Sequence, residues 1–258
     1  MQRLPLISIS LISAFLPWAS AAEETAAGAT ALPSYQQALE DFQAERAKTG
    51  GPKLDAADRS VMERAADDLA AAMPDPGLPV GAQAPDFRLP NAFGEPVQLS
   101  DLLANGPVVL TFYRGAWCPY CNLELRTLRQ ALPQIEAQGA AVVAVTPQLP
   151  NKSREQIEDD GYSFEVLSDL DDRVMQAYDL FFEVPEELDT VYKNRLGLDL
   201  AEFNGPYRAV LPVPATFVID GNGVIRAAFA DVDYRKRMEP TAIIAALNAL
   251  NTPDSAGR

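Results

Sequence analysis

Three kinds of hydrophobic pattern succeed one another along the chain. The first is a predominantly apolar run over 4–18, interrupted by Pro5 and Pro17. In the second, apolar residues recur at helical spacing: Tyr35, Leu39 and Phe42 within about 34–48, then Val61, Ala65, Leu69 and Ala72 within about 56–72. That spacing predicts two amphipathic helices. Pro74, Pro76, Gly77 and Pro79 then interrupt the chain and place a boundary near residue 78.

The third pattern alternates short, mostly apolar runs with amphipathic or polar stretches. The runs 108–113, 141–145, 164–167, 215–220 and 224–229 read as strands, and Gly221-Asn222-Gly223 between the last two is a hairpin signal. Helices are predicted over about 119–138, 152–160, 172–178 and 240–250. This β-α-β-α then β-β-α order predicts an α/β fold, a mixed central sheet flanked by helices, with an N-terminal helical extension. The segment 181–211 does not fit the alternation, and its Tyr, Phe and Pro content predicts an ordered insertion near the active face.

The N-terminal run changes where such a protein works. Arg3 precedes it, Ala19-Ser20-Ala21 follows as a small-x-small cleavage pattern, and polar Glu23 and Glu24 come next. It reads as a secretory signal over 1–21, too short to span a bilayer comfortably. The expected organisation is therefore a signal peptide (1–21), a linker and helical extension (22–78), a main domain (79–251) and a tail (252–258). Export to a bacterial periplasm, without membrane insertion after cleavage, is the expectation.

Net charge is −15, which disfavours nucleic acid and anionic membranes as partners, since both demand basic surface. Histidine is absent, which excludes Ser-His and Cys-His catalytic pairs and His-based metal sites. What remains is the pair Cys118 and Cys121, separated by Pro119 and Tyr120. Two intervening residues at a helix start bring both sulfurs within disulfide reach. Cys118 falls at the helix N-terminus, where free amides and the helix dipole favour a thiolate. Cys118 is thus the expected nucleophile and the more buried Cys121 the resolving thiol. A purely structural bridge is a poor explanation, because closing so short a loop constrains the unfolded chain very little.

The residues around the pair carry a family resemblance. Trp117-Cys118-Pro119-Tyr120-Cys121 resembles the active-site loop of thioredoxins and glutaredoxins, and the stretch 213–220 (VPATFVID) resembles the segment bearing their cis-proline. The stretches 81–89 (GAQAPDFRL) and 94–102 (GEPVQLSDL) resemble the opening of the peroxiredoxin family, the alkyl hydroperoxide reductase/thiol-specific antioxidant group. The run 112–121 (FYRGAWCPYC) resembles its peroxiredoxin-like branch. The resemblance spans about 80–250 and leaves the first 80 residues uncovered. It implies a thioredoxin-like fold, a cis Pro214, and Val213 backbone groups left open to pair with a bound partner chain. Trp117 and Tyr120 join Val213 and Pro214 as expected substrate- or partner-binding residues.

One departure matters. Where typical peroxiredoxins carry a Thr or Ser hydroxyl this chain has Gly115, and where a later strand supplies an Arg it has Val213-Pro214. Arg114 is then the nearest cation for the sulfur, with Thr111 as a hydroxyl that more simply packs in its strand. Glu124, one turn past Cys121, is placed to relay protons during resolution but reads most simply as a surface carboxylate early in a helix. The 231–237 cluster containing Arg235 and Arg237 has no role legible in sequence.

Three functions are compatible with these residues. The foremost is a thiol peroxidase reducing hydrogen peroxide or organic hydroperoxides, with a thioredoxin-like or other dithiol donor and no cofactor beyond a Cys118–Cys121 disulfide. The alternative is a thiol-disulfide oxidoreductase acting on exported proteins. A Cu(I)-binding module is the weakest of the three. Pairing of two copies of the chain stays open.

Overall fold

The computed structural model describes residues 31–252, so the expected signal at 1–21 and the tail from 253 onward lie outside it. Both early helices are present, α1 at Tyr35–Thr49 and α2 at Ala56–Ala72. Ser34 caps α1 by accepting from the Gln37 amide, and Asp55 and Asp58 form a reciprocal capping box on α2. These side chains satisfy first-turn amides that would otherwise lack partners. A hairpin not anticipated from sequence follows, β1 (Arg88–Pro90) and β2 (Pro96–Gln98), with a short helix α3 (Leu99–Leu103).

The main unit then runs β3 (Val108–Phe112), α4 (Pro119–Glu136), β4 (Ala141–Thr146), α5 (Pro150–Asp160), β5 (Glu165–Ser168) and α6 (Arg173–Ala177). The expected insertion comprises β6 (Phe181–Glu183), α7 (Glu186–Val191), a π-helical turn (Tyr192–Leu196), α8 (Leu200–Asn204) and β7 (Val210–Pro212). Strands β8 (Ala215–Ile219) and β9 (Ile225–Ala230) and helix α9 (Pro240–Asn251) close the chain.

The central sheet has the order β5-β4-β3-β8-β9, with β3, β4 and β5 parallel and β8 and β9 antiparallel. This is the mixed sheet of a thioredoxin-like fold. All five residues of β3 are buried, because helices and loops cover both faces. Val108, Leu110 and Phe112 pack with Met175, Tyr178 and Phe217 on one face. Val109 meets Leu125 and Leu128 of α4 and Ile243 of α9 on the other. The sheet therefore anchors α4, whose N-terminus carries the cysteines.

The insertion folds back on itself as the antiparallel β6–β7 ribbon and builds a small core from Leu188, Tyr192, Leu200 and Leu211. The predicted apolar face of α2 lands on that core through Val61, Met62 and Ala65. Arg195, on the π-helical turn, clamps the α2 N-terminus through Asp55 (3.1 Å) and Asp58 (2.9 Å).

The expectation for Pro214 is corrected here. No peptide bond among the described residues is cis, and the Val213 amide donates to Leu180 O at 2.7 Å. Val213 is fully buried, and Leu180, just before β6, takes the amide that a partner chain was expected to use.

Candidate active site: a buried dithiol between two arginines

The chain leaves β3 and turns through 113–117 before α4 begins. Gly115 sits at φ +149, a conformation side-chain-bearing residues rarely adopt, and a Cβ there would lie 2.5 Å from the Trp117 indole nitrogen. The indole therefore occupies the place where a hydroxyl-bearing residue was missed in the sequence. The loop is fastened by buried amides. Gln148 accepts from the Ala116 amide and donates to Tyr113 Oη, both at 3.0 Å, while Asn122 donates to Ala116 O at 2.8 Å.

Cys118 is the N-cap residue of α4 and Pro119 its first helical residue, where the missing N–H costs nothing. Cys118 is only 1% exposed and Cys121 is fully buried. Burial pushes the Cys118 thiol up, but hydrogen bonds from the Cys121 thiol and amide, with the guanidiniums of Arg114 and Arg237, outweigh it and bring Cys118 down to about 6. Burial and the neighbouring Cys118 hold the Cys121 thiol well above its ordinary range. The two sulfurs thus divide into a thiolate and a thiol at neutral pH, as a nucleophile and a resolving group require.

Arg114 is 5% exposed, and its Nη2 donates to Tyr192 Oη at 2.8 Å. Its guanidinium carbon lies 4.9 Å from the Trp117 ring centroid and 4.6 Å from that of Tyr234. Tyr120 stands edge-on to Tyr234 (5.4 Å) and to Phe42 of α1 (5.6 Å), so the residue between the cysteines is also a seat for the N-terminal extension.

A second arginine, overlooked in the sequence, completes the site. Arg237 donates through Nη2 to Cys121 Sγ at 3.3 Å and through Nε to the Glu124 carboxylate. Glu124 is buried, not on the surface as expected, and its Oε1 also accepts from Thr111 and Thr216 hydroxyls at 3.2 Å. Burial raises Glu124 to about 7 despite the arginine that opposes the shift. A signal was available. Glu124 lies at helical spacing with Leu128, Ala131 and Ile135, all buried, so the pattern puts it on the core face of α4.

Cys118 lies at the floor of a cavity of about 510 Å³. Arg46, Leu54 and Met62 roof it from the α1–α2 side, and Trp117, Tyr120 and Tyr192 form its walls. Val213 and Pro214 lie elsewhere, on a neighbouring apolar slot of about 280 Å³, and Arg114 borders both spaces. Arg114, Trp117, Cys118 and Tyr120 are thus brought together as expected, while Val213 and Pro214 serve a different surface.

Comparison with known proteins gives the family and the fold. A model of the AhpC/TSA family matches residues 80–228. The chain is 30% identical over 148 residues to a thiol-disulfide oxidoreductase ResA of Geobacillus kaustophilus, covering 57% of this chain and 67% of that protein. It is also 30% identical over 156 residues to a putative peroxiredoxin bcp of Helicobacter pylori, covering 60% and 90%. Among solved structures, peroxidoxin BcpB from Mycobacterium tuberculosis shares the fold, with a TM-score of 0.53 at 24% identity over 67% of this chain and 98% of that one. Helices α1 and α2 precede the matched segment.

Proposed function

The chain belongs to the AhpC/TSA family, and from that premise we propose that it is a thiol peroxidase in which Cys118 reduces hydroperoxides. Two relatives of similar identity bear the names of different thiol activities, so the choice rests on the site. One observation carries it: the nucleophilic sulfur is 1% exposed beneath α1 and α2. A peroxide reaches such a sulfur through the cavity. A folded protein's disulfide does not, and the Val213 amide that would pair with an incoming chain is already bonded to Leu180.

In the oxidative half-reaction the Cys118 thiolate attacks one peroxide oxygen, the O–O bond breaks, and the leaving alkoxide or hydroxide takes a proton. Arg114 holds the thiolate and faces the developing negative charge from within an aromatic, water-poor wall. Cys118 becomes a sulfenic acid. Cys121 then attacks it, an S–S bond forms and water leaves. Arg237 stabilises Cys121 as its proton departs, and Glu124, on the same guanidinium, accepts a proton as local charge changes. A thioredoxin-like dithiol donor returns the disulfide to two thiols, and displacement of the α1–α2 roof accompanies that step. No cofactor beyond the disulfide is required. Export to the periplasm follows from residues 1–21, and pairing of two copies is compatible with the exposed outer faces of α1 and α2.

The ResA similarity favours one second reading, reduction of protein disulfides. The deciding experiment is peroxide consumption by pre-reduced protein, with Cys118→Ser and Cys121→Ser in parallel. One peroxide lost per dithiol, abolished by Cys118→Ser, supports the peroxidase. No peroxide loss alongside reduction of insulin disulfides replaces it with the oxidoreductase.

A further inference from the structure

Two guanidiniums are deeply buried beside the cysteines, and they differ in one respect. Arg237 has a carboxylate partner in Glu124, whereas no carboxylate forms an ion pair with Arg114 among the described residues. Arg114 Nε is buried without a hydrogen-bond partner, and the groups facing the guanidinium are Cys118, Cys121 and the phenols of Tyr192 and Tyr234. Its counter-charge is therefore the Cys118 thiolate. When that sulfur enters a disulfide the charge vanishes, and a buried cation without a counter-ion is costly.

The apolar slot lies on the other side of this cation. Ala65, Leu69 and Ala72 of α2 form one wall, and Leu188, Val213 and Pro214 face them. The two carboxylates on its lining, Asp68 and Glu183, are solvent-exposed, while the one cation on it, Arg114, is buried. An apolar wall with a buried cation on its lining is complementary to a chain-like anion, and about 280 Å³ lies near the low end of small-ligand sites.

We propose that this slot binds a free medium-chain carboxylate, its acyl chain along α2 and its head group on Arg114, and that the disulfide form binds it more tightly than the dithiol form. By reciprocity the bound carboxylate favours the disulfide and draws Arg114 away from the Cys118 thiolate. The preference rests on the dithiol–disulfide cycle proposed above; the binding itself does not. One wall of the slot, α2, precedes the family-matched segment.

The test is calorimetric titration of the full chain, oxidised and reduced, at pH 8 with octanoate and with 1-octanol. Octanoate is expected to bind the oxidised protein about tenfold more tightly than the reduced, within the usual range of coupling energies. 1-Octanol is expected to show no such difference. Ala65→Phe, which fills the slot, is expected to abolish octanoate binding, and Ala72→Phe serves if that variant fails to fold. Equal octanoate affinity for both forms, octanol binding as tight as octanoate, no binding at all, or undiminished binding to the folded filled variant each overturns the proposal.

Discussion

Arg237 Nη2 lies 3.3 Å from Cys121 Sγ, across 116 residues of chain. The same guanidinium holds Glu124, so the resolving cysteine, a cation and a titrating carboxylate form one buried unit. Removing any member changes the charge balance felt by the other two.

Arg237→Met leaves Glu124 buried without its counter-ion. Breaking such a pair costs about 3–5 kcal/mol. The size of the loss depends on pH. Glu124 is raised in the folded protein, so it favours folding while protonated and loses that contribution as pH rises through about 7. Urea denaturation at pH 5 and pH 8 is expected to show the larger loss for Arg237→Met at pH 8.

Cys118 is lowered to about 6, so its alkylation by iodoacetamide should rise with pH and reach half its maximum near that value. Arg114→Met removes one of the two cations beside the thiolate and is expected to move the midpoint upward by about one pH unit. Rates measured between pH 4 and pH 9 give the result directly. An unmoved midpoint would show that Arg114 does not tune the sulfur.

Glu124→Gln tests the proton's route. Disulfide closure is expected to slow about a hundredfold, at the low end of general acid–base contributions, with sulfenic acid accumulating on Cys118. The inflection near pH 7 in the closure rate should disappear with it. Quenched-flow trapping of the sulfenic acid with dimedone separates this step from peroxide attack.

Gly115→Ala forces a side chain into a backbone conformation with φ +149 and against the Trp117 indole. Strain of about 1–3 kcal/mol is expected. Thermal unfolding should show the loss, and because the loop sets the position of Cys118, peroxide turnover should fall as well.

Local patterns made much of the fold legible. The spacing of Val61, Ala65, Leu69 and Ala72 predicts α2 with its observed bounds, and the apolar run before the cysteines predicts β3 to within a residue. Cys118 and its place at a helix start depend on neighbours only, and they too were readable. Arg237 was not, because its meaning comes from Glu124, 113 residues earlier in the chain, and no periodicity links them. Pro214 misled for the same reason. Its surroundings match a familiar segment, yet a carbonyl at Leu180 decides what the adjoining amide does. Thr111 packs in its strand as expected, but the hydroxyl's bond to Glu124 appears only once α4 crosses the sheet.

The attachment of α1 has a consequence for the order of assembly. The Tyr35 amide bonds the Glu239 carboxylate and its hydroxyl bonds Arg235 O, contacts that span 204 and 200 residues. Helix α1 meets Tyr120 of α4 midway along the chain, but its N-terminal anchors are not available until nearly the last residues have been made. The cysteine loop is therefore made before the last anchors of its α1 roof, which leaves a nascent interval in which the thiols are less covered than in the finished protein.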